Sequence, residues 1–287
     1  MKSVGKVAWM AGMALGLNMA TAEAALTAYS PNGVELVYSS LGNVTWTADG
    51  NLFKTLADGY AGGTSAFLNA VIASVPEGKI NDSPNYWDTP ANSGYHTLSA
   101  SDFNTTTGRV NWFGAKAYVT YLNSINYGGS NQWRLPNWTD TGAAGPQYGI
   151  SGTDFGYNVN PASSELAQLY YAELGKTAYV NTSGEGPQSN YGILGSSTFS
   201  DTTGSVGPFS NVHTFAYWLG TEYTPDGRAW DFFTTVGVQG YDGKDYQSYA
   251  WAVSSGQVAA VPLPGAMWLM GTGLIGLLGL KWRGQAG

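Results

Sequence analysis

The sequence predicts an α+β domain with two main helices, short antiparallel strands and long loops, followed by a C-terminal transmembrane helix. Three observations carry this reading. Trp112 to Ile125 and Asn160 to Gly175 place apolar residues at helical spacing. Short alternating runs closed by Asp-Gly turns flank these segments. Long polar stretches rich in glycine separate the periodic segments, and Gly accounts for 40 of 287 residues.

The elements follow in order. Val34 to Tyr38 and Asn43 to Trp46 read as strands, closed by the turn at Asp49-Gly50. Asn51 to Leu56 reads as one helical turn. Gly62 to Val75 carries Phe67, Leu68, Val71, Ile72 and Val75 on a helix-period stripe. Pro76 to Gly108 is an irregular polar excursion. Trp112, Ala115, Tyr118, Val119, Leu122 and Ile125 form one helix face, with Asn111 as N-cap. Asn160 caps the next helix, Pro161 takes its first position, and Gly175 ends it. Four strands finish the body, at residues 215–222, 229–235, 236–240 and 249–253, with turns at Asp226-Gly227 and Asp242-Gly243.

Composition excludes several functions. Charged residues make up 11% and the net charge is −7, which argues against nucleic acid as a partner. Aromatic residues reach 14%, enough apolar bulk for a buried core and against disorder. With 0 Cys there is no thiolate zinc site, thiol nucleophile, redox motif or disulfide. Stability must come from packing.

The two ends carry export patterns. Lys2 and Lys6 precede an apolar run from Val7 to Leu17, and small-x-small sites end at Ala22 and Ala24. This is the layout of a signal peptide over residues 1–24. At the other end, Val261-Pro262-Leu263-Pro264 precedes an apolar run and the basic Lys281 and Arg283. Residues 266–282 as a helix would span roughly 25 Å at ~1.5 Å per residue, against a bilayer core of ~30 Å. The basic end would sit at the cytoplasmic face. Gly271-Thr272-Gly273-Leu274-Ile275-Gly276 matches a dinucleotide fingerprint but lacks the strand and downstream acid that motif needs.

The tail, residues 258–287, resembles the PEP-CTERM sorting signal of Gram-negative bacteria, with Leu263 in place of the usual glutamate. The resemblance implies recognition by an exosortase, a transient inner-membrane intermediate, and transfer to the cell surface or medium. The body, residues 25–257, carries Trp133-Arg134-Leu135-Pro136, then Glu165-Leu166, then Tyr217-Trp218-Leu219-Gly220-Thr221-Glu222-Tyr223 and Ala229-Trp230. In these segments it resembles the DUF1566 family, also called the C-terminal domain of the Legionella collagen-like adhesin. That resemblance implies a C-type-lectin-like fold. The insertion from Asn137 to Pro161 and the ending Ala252-Val253-Ser254 depart from the family pattern. The copper-thiol chemistry of the more distant formylglycine-generating relatives needs cysteine, so fold carries over better than activity.

Candidate sites stand beside structural alternatives. Arg134 is either a ligand-binding cation or a structural partner of Glu165 or Glu222, and the structural reading is preferred. Glu222 with Asp231 or Glu165 would be the carboxylate pair of a glycosidase, at a separation that sequence does not fix. His96 and His213 have no neighbours at metal-ligand spacing, so no metal site is assigned. Asp226, Asp231, Asp242 and Asp245 offer oxygen ligands for calcium, or are simply turn residues. Tyr86, Trp87, Trp138 and Tyr148 offer rings for stacking on sugars, or pin the loops to the core. No catalytic residues and no cofactor are assigned. The expectation is an exported, exosortase-processed, non-enzymatic surface or matrix protein that binds or organises exopolysaccharide. A protein-binding adhesion component and a carbohydrate-active enzyme are the alternatives.

Overall fold

The computed structural model describes residues 26–143, 149–195, 200–224 and 226–259. The first half runs Leu26–Tyr29 (β1), Leu36–Ser39 (β2), Val44–Thr47 (β3), Leu52–Gly59 (α1), Gly63–Ala73 (α2), Lys79–Asn81 (β4) and Tyr95–Thr97 (β5). Phe103–Asn104 (β6), Arg109–Val110 (β7), Trp112–Ser124 (α3), Trp133–Arg134 (β8), Gly156–Tyr157 (β9) and Glu165–Ala167 (α4) follow. The last part holds Thr203–Val206 (β10), Phe209–His213 (β11), Ala216–Tyr223 (β12), Arg228–Phe233 (β13), Val238–Gly243 (β14) and Val253–Ser255 (β15).

Two sheets organise the body. One is five-stranded in the order β1-β2-β3-β15-β8, and the other is four-stranded in the order β12-β13-β14-β9. All their strand pairs are antiparallel. The segment before β15 joins the sheets, because Trp218 N donates to Tyr249 O and Tyr249 N donates to Ala216 O.

Alternation along the strands builds a core on each side. Trp218, Ala229, Ala250 and Ala252 face the helices, where Phe53, Phe67, Phe113, Tyr118 and Leu122 are buried. Tyr217, Leu219, Trp230, Phe232, Trp251 and Val253 face the opposite way, onto Trp46, Leu166, Leu169 and Tyr170. Trp46 and Trp251 meet edge-on, with ring centroids 5.4 Å apart. Such aromatic pairs contribute about 0.5–1.5 kcal/mol beyond their area. They supply packing that a chain without cysteine cannot take from disulfides.

A bulge in β12 sets the orientation of its far end. Trp218 pairs with Asp231, but the next pair is Glu222 with Ala229, so residues 219–221 face a single residue of β13. Glu222 therefore returns to the helix-facing side, with Trp218, Ala229 and Asp231.

The predicted architecture is corrected in several respects. The described residues form a mixed fold of several small antiparallel sheets and four helices, in place of a C-type-lectin-like domain with two main helices. The expected single turn at Asn51 is the full helix α1, because Leu52, Phe53 and Ala57 bury one face against α2 and α3. α4 does not start at Asn160-Pro161. Ser164 caps it, its side chain accepting from Ala167 N, and it continues as a π-helix over Gln168–Glu173. Asp242-Gly243 is the end of β14 and no turn, since residues 234–237 close that hairpin. The expected transmembrane helix is also corrected. Among the described residues no helix is long and apolar enough to cross a membrane. Residues 266–282, the sorting motif and the signal peptide lie outside the described residues.

Candidate functional site

The Trp-Arg-Leu-Pro motif forms a clamp. β8 presents Arg134 to Glu165 at the start of α4, with Nη1 to Oε2 at 2.7 Å and Nη2 to Oε1 at 2.8 Å. Glu165 Oε2 also accepts from Asn137 N at 2.7 Å. The fork geometry joins sheet to helix and closes the start of the 137–161 insertion. Trp133 and Leu135 are buried in the helix-side core, and Trp133 Nε1 donates to Tyr127 O. Tyr217 and Trp218 are fully buried.

Glu222 does not meet Arg134. Its Oε1 lies 3.0 Å from Lys244 Nζ, which also reaches Asp82 Oδ1 and Ser83 O, each at 2.8 Å. Asp231 is fully enclosed. Burial first, then the neighbouring Asp242, pushes its carboxyl well above the usual carboxylate range. The three carboxylates proposed for glycoside hydrolysis are thus one held by arginine, one held by lysine and one sealed from water.

The aromatic candidates separate. Tyr86 is exposed at 65%. Trp87 packs against the helix-side core and donates its indole N–H to Gly227 O at 2.7 Å. Trp138 packs on Trp230 with ring centroids 4.2 Å apart. Tyr148 lies outside the described residues. Asp226 faces Arg228, with Oδ2 3.5 Å from Nε. Among the described residues no group of three or more His, Cys, Asp or Glu side chains is placed to hold a metal.

Each histidine has a carboxylate partner that spacing did not reveal. His96 Nδ1 lies 3.0 Å from Trp87 O, and Nε2 lies 3.0 Å from Asp102 Oδ1. Both partners only accept, so both ring nitrogens donate and the ring is an imidazolium. Burial works against that charge. The Asp102 hydrogen bond and the Trp87 carbonyl outweigh it and raise the histidine above its ordinary value.

His213 lies in a polar cleft, the site that sequence reasoning missed. The cleft encloses about 410 Å³ and is lined by Asn51, Thr55, Thr106, Thr107, Thr203 and Asn211, with Lys54, Asp58, Asp201, His213 and Tyr249. Asn51 Nδ2 lies 3.2 Å from His213 Nε2, which accepts, so His213 Nδ1 donates to Asp201 Oδ1 at 2.8 Å. Tyr249 OH donates to Asp201 Oδ2 at 2.8 Å, and Arg109 Nη2 donates to the same oxygen. Burial favours a neutral Asp201. Hydrogen bonds from His213, Arg109 and Tyr249 overcome it and hold the carboxyl at about 2. Arg109 is braced over the Phe215 ring at 3.8 Å. The cleft thus combines the fixed Asp201 carboxylate and the Lys54–Asp58 ion pair with neutral hydroxyls and amides. The sequence signal was a concentration of Thr and Asn in segments far apart along the chain, the start of α1, the β6–β7 turn and the β10–β11 hairpin.

Compared with known proteins, the chain matches no family model, no curated protein and no solved structure.

Proposed function

We propose that this chain is an exported, exosortase-processed, non-enzymatic surface or matrix protein that binds exopolysaccharide. The observation that carries the reading is the cleft beside His213. Its lining of Thr and Asn side chains, with Asp201 as a fixed acceptor, suits a ligand rich in hydroxyl groups. Its volume of about 410 Å³ falls in the range of small-ligand sites. The N-terminal export pattern and the Val261-Pro262-Leu263-Pro264 motif support delivery to the surface. The commitment of Glu165 to Arg134 and of Glu222 to Lys244 supports binding over hydrolysis.

The test is equilibrium binding of the purified chain to the host's exopolysaccharide, compared with a Thr106→Val, Thr203→Val double variant. Both threonines are exposed on the cleft rim. Two hydrogen bonds at about 1 kcal/mol each predict roughly tenfold or greater weakening. Equal affinity of variant and wild type would remove the cleft from the function.

A further inference from the structure

We propose that Lys244 and Asp82 condense in the folded protein to an intramolecular amide, with Glu222 as the proton carrier. This goes beyond polysaccharide binding and is independent of it.

The geometry is that of a nucleophile held against an acyl carbon. Lys244 Nζ sits 2.8 Å from Asp82 Oδ1, and both side chains are 0% exposed. Among the ion pairs of the described residues, this is the one with both partners fully enclosed. Ser83 O and Glu222 Oε1 fix the amine from two further directions, at 2.8 and 3.0 Å. The rings of Trp112 and Phe113 lie 5.0 and 5.7 Å from Nζ and exclude solvent. Trp87 N donates to Asp82 Oδ2 at 2.5 Å. That N–H is aimed at the oxygen that becomes negative when the amine adds to Cγ, the placement that stabilises a tetrahedral intermediate.

The step balances without a co-reactant. The ammonium of Lys244 passes one proton to Asp82 Oδ1, giving a neutral amine and a carboxylic acid. The amine lone pair then attacks Cγ, and charge gathers on Oδ2 under the Trp87 N–H. Glu222 Oε1 takes the remaining surplus proton from Nζ and returns it to the Oδ1 hydroxyl. That group leaves as water when the C–O bond breaks, and a neutral secondary amide remains. Burying an ion pair carries a large desolvation cost, and condensation removes both charges. Enclosure holds the reactants in place and keeps bulk water from the product.

The topology brings these residues together. Lys244 follows β14 on the same face as Asp242 and Gly240, and the bulge in β12 returns Glu222 to that face. Asp82 follows β4 within the polar excursion. The amide would join positions 162 residues apart, in a chain with 0 Cys. It would constrain the unfolded chain as a disulfide does, with no need of an oxidant.

Intact-mass spectrometry of the purified full chain tests this, with the termini fixed by peptide mapping. The expected result is a mass one water below that of the unlinked chain, with a branched peptide joining Lys244 to Asp82 after digestion. A Glu222→Gln variant that keeps the wild-type tryptophan fluorescence should retain the full mass. A wild-type chain at full mass, with an ordinary linear peptide containing Lys244, overturns the proposal. So does a water loss that maps to any other residue. A Glu222→Gln chain that still forms the branched peptide overturns the role given to Glu222.

Discussion

At the scale of single residues, the two histidines show how a low-charge chain uses its few ionisable groups. His96 stacks on Phe113 with ring centroids 4.2 Å apart and donates from both nitrogens. Its value is raised on folding, so its contribution is complete below the unfolded value of about 6.5 and is lost as pH rises through the folded one. Stability of the wild type to urea should therefore fall as pH rises from mildly acidic values through the raised histidine value. A His96→Gln variant should lack that dependence, and an unchanged slope would contradict the imidazolium assignment. Asp201 works in the opposite direction. Its carboxyl drops from an ordinary 3.8 to about 2, so its stabilisation is present above 3.8 and disappears as pH falls through about 2. Asp201→Asn should flatten the acid limb of the stability profile and loosen Arg109. Part of the group is solvated, so the effect is smaller than the shift alone implies.

At the scale of elements, two contacts hold the loops to the framework. The Arg134 to Glu165 fork ties β8 to α4 and to the backbone of Asn137. Lysine keeps the charge but loses the second parallel hydrogen bond, so Arg134→Lys should cost about 1–2 kcal/mol in chemical unfolding. Gly227 lies under the excursion. A Cβ there would meet Tyr86 Cβ at 2.5 Å and Trp87 Nε1 at 2.8 Å. Gly227→Ala should cost about 1–3 kcal/mol by overpacking and make the 82–94 segment exchange its amide hydrogens faster. α3 was legible in the sequence because one apolar stripe and one cap, Asn111, both belong to adjacent residues. Its cap accepts from Gly114 N at 2.8 Å. The strands 216–223 and 228–233 were legible for the same local reason, alternation around an Asp-Gly turn. α4 was misplaced because Asn160-Pro161 offers a competing start, and Ser164 wins by reaching Ala167 N.

At the scale of the whole molecule, long-range partnership was the illegible part. Arg134 had two candidate glutamates, and only the fold separates them, giving Glu165 to the arginine and Glu222 to Lys244. The cleft draws on residues from Asn51 to Tyr249, and no spacing rule connects them. Lys244 and Asp82 carried no sequence signal, since the β12 bulge that completes their site is invisible until the register is known. The lectin-like body was an expectation from motif resemblance, and the described residues form a mixed fold of small sheets instead. The polar cleft is the part of the molecule proposed to recognise a hydroxyl-rich polymer. The measurement that tests it most directly is titration of the purified full chain with the host's exopolysaccharide, once with calcium and once with chelator. The expected result is saturable binding that the Thr106→Val, Thr203→Val variant weakens. Absence of binding in both conditions would contradict it and favour a protein-binding matrix component.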